Sequence, residues 1–151
     1  MKNNFLFSFL TASFVILTSC KKENSDLTFY SCDFDKTQYN DPQFYDKWIY
    51  NKEDALKVKL TFNDSELDNR NLDSLYNQKV QYLFILGGGS IYVHADDCEA
   101  EIKNDTIFIK YDIRMTTDQV GETAESLICL EVNKRKYPNY KKMKIKYLEF
   151  N

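Results

Sequence analysis

Histidine is nearly absent from this chain, because His94 is the only one among its 151 residues. This scarcity excludes zinc sites built from several histidines and proton transfer between paired histidines. Glycine and proline are also rare, with four and two residues, and three of the glycines form the run Gly87–Gly89. That run lacks the Lys-Ser/Thr pair of a phosphate-binding loop, so we interpret it as a structural turn.

A strong excess of one charge is also lacking, since the formal net charge is −3 at pH 7. Nucleic-acid binding is therefore not predicted, because it requires a strongly basic surface. The spacing of residues supports no Ser-His-Asp triad, since the segment GGGSIYVH around Ser90 lacks the nucleophile elbow of hydrolases. We therefore predict neither an enzymatic activity nor a cofactor.

The apolar run from Phe5 to Leu17 has the length of a signal-peptide core and is shorter than the about 20 residues of a membrane-spanning helix. Lys2 precedes the run, and the small residues Thr18 and Ser19 follow it. The segment LTSC, which ends at Cys20, resembles the lipobox of bacterial lipoproteins. In that family the cysteine sulfur receives a diacylglyceryl group, the preceding peptide is removed, and the new amino terminus receives a fatty acid such as palmitate.

The resemblance implies a signal peptide over residues 1–19, and the polar residues after it predict a flexible tether over residues 20–28. The remaining residues, 29–151, suit a single β-rich domain. Lipid on Cys20 would anchor the protein permanently to a membrane. In similar lipoproteins, Asp directly after the lipidated cysteine retains the protein in the inner membrane. Here Lys21 occupies that position, so the resemblance favours the outer membrane of the cell envelope.

The composition, rich in Lys, Asn, Tyr, Phe and Ile, and the segment CKKE resemble those of lipoproteins from Bacteroidota. Some of those proteins carry a short acidic signal after the cysteine that directs them to the cell surface. Lys21-Lys22-Glu23 matches that signal only in part. The resemblance therefore leaves both the periplasmic and the surface location open.

Alternation of apolar and polar residues, together with 15% aromatic residues, predicts a mainly β fold. Strands are predicted in ALKVKLTF, on both sides of the glycine run in VQYLFILGGGSIYVHA, and in CEAEIK, TIFIKYDI, SLICLEV and KMKIKYLEF. Short helices are predicted after Asp41-Pro42, although KWIY also fits a strand, and in LDSLYNQ. Short strands joined by polar turns predict an antiparallel β-sandwich or small barrel with one or two short helices.

Three cysteines remain if Cys20 carries lipid, namely Cys32, Cys98 and Cys129. An oxidising compartment predicts one disulfide and one spare thiol. We favour a disulfide between Cys98 and Cys129, because both lie in the strand-rich second half of the chain. Strand alternation works against this pairing, since it turns Cys129 away from its apolar neighbour Ile128, so all three pairings stay open.

Two acidic segments contain the ligand types that divalent cations prefer. HADDCEAE gathers one imidazole and four carboxylates, and it fits a solvated strand face equally well; its residues are His94, Asp96, Asp97, Glu99 and Glu101. DSELDNRNLDSL has the acidic spacing of a calcium loop, but Leu75 stands where that loop needs Glu. We therefore predict no metal site.

Two modification sites and one docking surface are candidates. The O-glycosylation motif of Bacteroidota resembles two segments of this chain, Asp73-Ser74-Leu75 and Asp105-Thr106-Ile107. Ser74 and Thr106 are therefore candidate glycosylation sites. Thr106 is expected to be accessible, because it lies at a predicted hairpin turn. Basic residues crowd the C-terminal segment at Lys134, Arg135, Lys136, Lys141, Lys142, Lys144 and Lys146. These residues fit either a solvated edge strand protected by lysines or a docking surface for an anionic partner.

Together these features predict a membrane-anchored envelope lipoprotein with a non-enzymatic binding role, whose aromatic or basic face contacts an envelope protein or an anionic polysaccharide. An inhibitor or immunity module against an envelope-degrading enzyme is an alternative, because TFYSCDFDKTQYND resembles the opening of lysozyme-inhibitor lipoproteins, although the later motifs of that family are absent. A lipocalin-like carrier would need a continuous apolar cavity. A metal-dependent enzyme would need carboxylates clustered around His94.

Overall fold

A computed structural model of the chain describes residues 26–35, 46–62, 70–87, 90–115 and 125–150. The predicted mainly β fold is confirmed, since these residues form ten strands and two short helices. The strands are β1 (Leu27–Asp33), β2 (Asp46–Ile49), β3 (Thr61–Phe62), β4 (Lys79–Gly87), β5 (Ile91–Tyr92), β6 (Cys98–Lys103), β7 (Thr106–Tyr111), β8 (Arg114–Met115), β9 (Glu125–Asn133) and β10 (Lys144–Glu149). The helices are α1 (Lys52–Lys57) and α2 (Leu72–Gln78), and Ala95–Asp97 and Tyr140–Lys142 form 3-10 turns.

The strands form two main sheets and one small pair. The larger sheet is antiparallel and has the order β2-β4-β9-β1-β3, whereas the smaller sheet has the order β10-β7-β6. β6 and β7 form the predicted hairpin, but β10 runs parallel to β7. The parallel pair arises because the chain crosses from β9 in one sheet to β10 in the other instead of turning back beside β7.

One apolar core lies between the two main sheets. The larger sheet contributes Val80, Phe84 and Leu130, and the smaller sheet contributes Ile107 and Ile109, all without exposed surface. These positions alternate with side chains that point to the opposite faces of their strands, as the two-residue period of a strand requires. The packing of two sheets over a shared core is the layered arrangement of a β-sandwich.

A second apolar cluster covers the other face of the larger sheet. In this cluster Ala55 of α1 and Leu75 and Tyr76 of α2 join Ile49 of β2 and Leu83 of β4. The larger sheet is therefore buried on both faces, by the smaller sheet on one side and by the two helices on the other.

Asparagine side chains begin both helices. The Asn51 side chain accepts a hydrogen bond from the Asp54 backbone N–H at 2.8 Å. The Asn71 side chain accepts from the backbone N–H groups of Asp73 and Ser74 at 3.0 and 3.1 Å. Such caps satisfy N–H groups that have no partner inside the helix, which is why these short helices start where they do.

Two local predictions were wrong. The segment ALKVKLTF was predicted to be one strand, but it contains the end of α1, a turn in which Lys59 has a φ of 47°, and the two-residue β3. The Asn51 cap and tertiary packing override the alternation there. Trp48 and Ile49, which were assigned to a helix after Pro42, lie in β2, where the alternative interpretation of KWIY as a strand had placed them.

The helix in LDSLYNQ and the strands on both sides of the glycine run are confirmed. The larger sheet begins before the predicted domain boundary, because Leu27 and Thr28, which were assigned to the tether, pair with β9. The signal peptide, Cys20 and residues 20–25 of the tether lie outside the described residues. Within the described residues, no helix has the length and apolarity that crossing a membrane requires.

Candidate binding surface and buried charge network

An aromatic surface lies at the β2 edge of the larger sheet. Trp48 sits opposite Tyr82 of β4, and Tyr50 follows two residues later, directly after the strand. The rings of Trp48 and Tyr50 are nearly parallel, with an interplanar angle of 11° and centroids 6.3 Å apart. Both side chains are half-buried, so each combines a fixed position in the core with an accessible ring surface.

A 3-10 turn completes this aromatic surface from the connection between β9 and β10. Tyr140 lies in this turn, with its ring centroid 5.9 Å from that of Trp48 and 6.0 Å from that of Tyr50. The ammonium of Lys141 lies 5.3 Å from the Tyr50 ring centroid and 6.0 Å from that of Tyr140. Both distances fall within the range of a cation–π interaction.

Lys134 brings a second positive charge to the same corner of the molecule. Its backbone N–H donates to the Gln78 carbonyl at 2.9 Å, and its ammonium donates to the Tyr76 carbonyl. Burial lowers the pKa of Lys134, and the positive charge of Lys141 lowers it further. We call the set Trp48, Tyr50, Lys134, Tyr140 and Lys141 the aromatic–lysine patch.

Hydrogen bonds below the patch join the two sheets. The Tyr147 hydroxyl of β10 donates to a carboxylate oxygen of Asp46 in β2 at 2.6 Å, and it lies 3.2 Å from the Tyr82 hydroxyl. Burial raises the pKa of Tyr82 to about 12, so this phenol stays neutral at ordinary pH. The edge strand that carries Trp48 is therefore fixed to the smaller sheet as well as to β4.

A buried charge network lies on the opposite face of the larger sheet. The Glu131 side chain of β9 has no exposed surface, and its carboxylate contacts two cations. Nη2 of Arg70 lies 2.7 Å from Oε1, and Nζ of Lys79 lies 2.8 Å from Oε2. The Gln81 amide donates to Oε1 at 3.2 Å, and the Tyr76 hydroxyl donates to the Gln81 carbonyl oxygen.

Aromatic rings hold the guanidinium of this network. The Arg70 carbon Cζ lies 5.1 Å from the Tyr30 ring centroid and 5.2 Å from that of Phe62. A cleft of about 280 Å³ opens beside it, lined by Arg70, Asn71, Ser74, Leu75, Gln78 and Lys79. Because every charge in the network is paired, we interpret it as the support that fixes α2 and the start of β4 against the sheet.

The larger described cleft, of about 440 Å³, lies at the other end of β9 and contains His94. Its polar lining includes Asp33 and Glu125, and the Ser126 hydroxyl accepts the Val93 backbone N–H at 2.7 Å. No group of three or more His, Cys, Asp or Glu side chains within the described ranges is placed to hold a metal ion. The cleft therefore brings polar groups together without a metal-ligand set.

Two of the four carboxylates of HADDCEAE form ion pairs. Asp97 pairs with Arg114 at 2.6 Å, and Glu101 pairs with Lys103 and Lys110 at 2.7 and 3.2 Å. Residues 64–69 of the calcium-like segment lie outside the described residues, and Leu75 at its end is buried in α2.

The disulfide favoured between Cys98 and Cys129 is wrong. Both residues are free thiols, as is Cys32. Cys98 belongs to the core between the sheets, whereas Cys129 points to the opposite face of the larger sheet with Cys32. The sheet itself separates the two residues, as the alternation around Ile128 had indicated.

The two candidate glycosylation sites have opposite environments. Ser74 is exposed on α2, and its modification stays a prediction. Thr106 is only 9% exposed, so the expected accessibility of this residue is wrong. Thr106 begins β7 immediately after the Asn104-Asp105 turn, between Lys103 of β6 and Lys144 of β10.

The basic C-terminal residues lie in several different environments. Lys144 and Lys146 are exposed on β10, an edge strand of the smaller sheet, and Lys146 lies 5.8 Å from the Phe108 ring centroid. Lys142 ends the 3-10 turn that precedes this strand. Lys134 and Lys141 instead meet at the aromatic corner. The sequence offered a signal for that corner in the two aromatic residues of KWIY, but it could not show that the β9–β10 connection folds over them.

Comparison of the chain with protein-family models, with curated protein sequences and with solved structures finds no match. Any function for this chain therefore has to be argued from its own residues.

Proposed function

We propose that this chain is a lipid-anchored protein of the bacterial cell envelope with a non-enzymatic binding role, and that the aromatic–lysine patch is its contact surface. One observation carries the choice of surface: two nearly parallel rings, Trp48 and Tyr50, lie half-exposed at a sheet edge, and the Lys141 ammonium lies over the Tyr50 ring. Aromatic and cationic side chains of this kind dominate the binding energy of many interfaces.

The proposed anchor and the proposed contact surface are separate parts of the chain. Lipid on Cys20 would hold the protein at the membrane, and the polar residues after it would act as a spacer. The first strand begins at Leu27, so the spacer would be only a few residues long. The binding domain would thus work close to the membrane surface.

The packing of the described residues favours binding at the surface over carriage of a ligand inside. The space between the sheets is occupied by the aromatic and aliphatic side chains of the core. The described clefts lie outside this core and are lined in large part by polar residues. A lipocalin-like carrier would instead enclose its ligand in a cavity lined by apolar groups.

A binding experiment with the membrane-anchored protein tests this proposal. The native protein is inserted through its own lipid into a supported bilayer, which is then exposed to a soluble envelope extract from a strain that lacks the protein. We expect Trp48→Ala to reduce the retained mass by about tenfold or more, the scale of a hot-spot residue. Phe150→Ala, which removes another exposed aromatic ring, serves as the matched control.

Equal retention by wild-type protein and Trp48→Ala would reject the patch as the contact surface. A protein that does not insert into the bilayer would reject the lipid anchor.

A further inference from the structure

We infer that the ligand of the aromatic–lysine patch is an anionic polysaccharide, whose sugar rings stack on Trp48 and Tyr50 and whose acidic groups contact Lys134 and Lys141. This inference rests on the proposed function, because it names the class of partner for the same surface.

The patch carries a positive charge that no carboxylate neutralises. Several other described lysines do pair with carboxylates, such as Lys136 with Asp26 at 2.5 Å and Lys59 with Asp35 at 2.6 Å. Within the described part of the chain, Lys134 and Lys141 have no carboxylate partner, since Lys134 donates to a backbone carbonyl and Lys141 lies over aromatic rings.

The proximity of these two ammonium groups carries an electrostatic cost. Burial lowers the pKa of Lys134, and the positive charge of Lys141 lowers it further. The formal net charge of the whole chain is −3, whereas the corner that contains Lys134 and Lys141 is positively charged. An anionic group placed between the two ammonium groups would relieve their repulsion.

The aromatic surface of the patch has a fixed shape. Trp48 contacts Tyr82 at a centroid distance of 5.0 Å and Tyr140 at 5.9 Å, so two neighbouring rings hold its ring in place. The electron-rich face of an aromatic ring attracts the weakly positive C–H groups on the flat side of a sugar. Two nearly parallel rings, 6.3 Å apart, offer such a face to consecutive sugars of a chain.

The positive charge and the fixed aromatic rings of the patch favour a glycan over the other envelope partners. A membrane surface would require apolar side chains that protrude, whereas Trp48 and Tyr50 are half-buried and Tyr140 is buried. A stable protein partner would contact roughly 20–30 residues on this side of the interface, many more than the five residues of the patch. A polymer of acidic sugars places a flat ring and an anionic group side by side in every repeat, which matches the adjacent rings and ammonium groups.

The test uses polygalacturonate as the acidic polymer and a neutral galactan as its uncharged counterpart. Both are titrated against the native protein in the supported bilayer. We expect binding of polygalacturonate, much weaker binding of galactan, and a loss of affinity as salt is raised. Lys134→Gln and Lys141→Gln should each weaken polygalacturonate binding by roughly tenfold, whereas Lys144→Gln, which removes the same charge from an exposed site on β10, should not.

The single tryptophan provides an independent signal. Because Trp48 is the only tryptophan, a change in intrinsic fluorescence on addition of polygalacturonate reports directly on the patch. Trp48→Phe, which keeps an aromatic ring, should retain most of the binding, and Trp48→Ala should lose it. Circular dichroism of both variants checks that they are folded.

The outcomes separate the two proposals. Equal binding of the neutral and the acidic polymer, or an equal effect of Lys141→Gln and Lys144→Gln, would overturn the anionic class while leaving a glycan-binding patch. Absence of polysaccharide binding together with patch-dependent capture of envelope extract would overturn the glycan and keep the contact surface. Insensitivity of both assays to Trp48→Ala would overturn both.

Discussion

The Glu131 carboxylate lies 2.8 Å from the Lys79 ammonium and 2.7 Å from the Arg70 guanidinium, and its side chain has no exposed surface. Lys79 begins β4, and Glu131 lies near the end of β9, so the ion pair joins the central strand of the larger sheet to one of its neighbours. Arg70 adds the segment that leads into α2. One carboxylate thus connects two strands and a helix.

Substitution of Glu131 by glutamine is expected to lower the free energy of unfolding by roughly 3 kcal/mol, because it leaves two largely buried cations without their carboxylate. Urea unfolding followed by circular dichroism measures this loss. The matched control is Glu101→Gln, which removes a carboxylate from the exposed face of β6 and should leave the urea midpoint nearly unchanged. Similar midpoints for the two variants would contradict the structural role of the network.

Alkaline pH is expected to destabilise the fold through its buried thiols. Burial raises the pKa of Cys32 from the ordinary value of 9.0 to about 12, and it raises the pKa of Cys129 as well. In the unfolded chain these thiols lose their protons near pH 9, whereas in the folded chain they keep them until pH is much higher. The free energy of unfolding should therefore fall as pH rises from about 9 to 12, by about 1.4 kcal/mol per pH unit for each thiol.

Urea unfolding at several pH values between about 8 and 11 measures this slope, and Cys32→Ser should make it shallower because a hydroxyl does not titrate there. Ala55→Gly, which weakens the same apolar cluster without removing a thiol, is the control and should keep the wild-type slope. Identical slopes for wild-type protein and Cys32→Ser would show that this thiol does not control the alkaline limit.

The parts of the fold that the sequence predicted well are those with a strong local signal. Alternation located the β6–β7 hairpin, whose turn residues Asn104 and Asp105 both have positive φ, at 47° and 58°. Asparagine and aspartate tolerate this left-handed conformation better than most residues, so composition and geometry agree there. The buried strands β4 and β9 were predicted from a different local signal, which is their high content of apolar residues.

The parts that the sequence did not reveal depend on partners far apart in the chain. ALKVKLTF alternates like a strand, but half of it is the end of a helix whose cap, Asn51, precedes the segment. The contact between Glu131 and Lys79 joins residues 52 positions apart. The aromatic–lysine patch depends on the fold of the β9–β10 connection, which brings Tyr140 and Lys141 onto Trp48 and Tyr50. A local sequence pattern does not predict tertiary contacts of this kind between residues that lie far apart in the chain.

A count of reactive thiols would test the lipid anchor and the free cysteines together. Alkylation of the unreduced, urea-denatured native protein should add three groups, on Cys32, Cys98 and Cys129, because lipid would block Cys20. Intact mass spectrometry reads both this number and the mass of the acyl chains. One added group would reveal a disulfide, with Cys32 and Cys129 of the same cluster as the first pair to map. Four added groups on a chain without acyl mass would show that Cys20 carries no lipid.

Removal of the Tyr147 hydroxyl is expected to weaken the junction between the two sheets. Tyr147→Phe deletes the hydrogen bond to the Asp46 carboxylate at 2.6 Å and the contact with the Tyr82 hydroxyl at 3.2 Å, while the ring stays in the core. We expect a loss of about 1 kcal/mol in the free energy of unfolding, the scale of one hydrogen bond that forms on folding. Tyr92→Phe, whose hydroxyl makes no hydrogen bond within the described residues, is the control. The same substitution should also affect binding. Because Asp46 and Trp48 belong to the same edge strand, Tyr147→Phe should loosen the patch and weaken polygalacturonate binding, whereas Tyr92→Phe should leave binding unchanged. A stable Tyr147→Phe variant with full binding would show that β4 alone positions the edge strand.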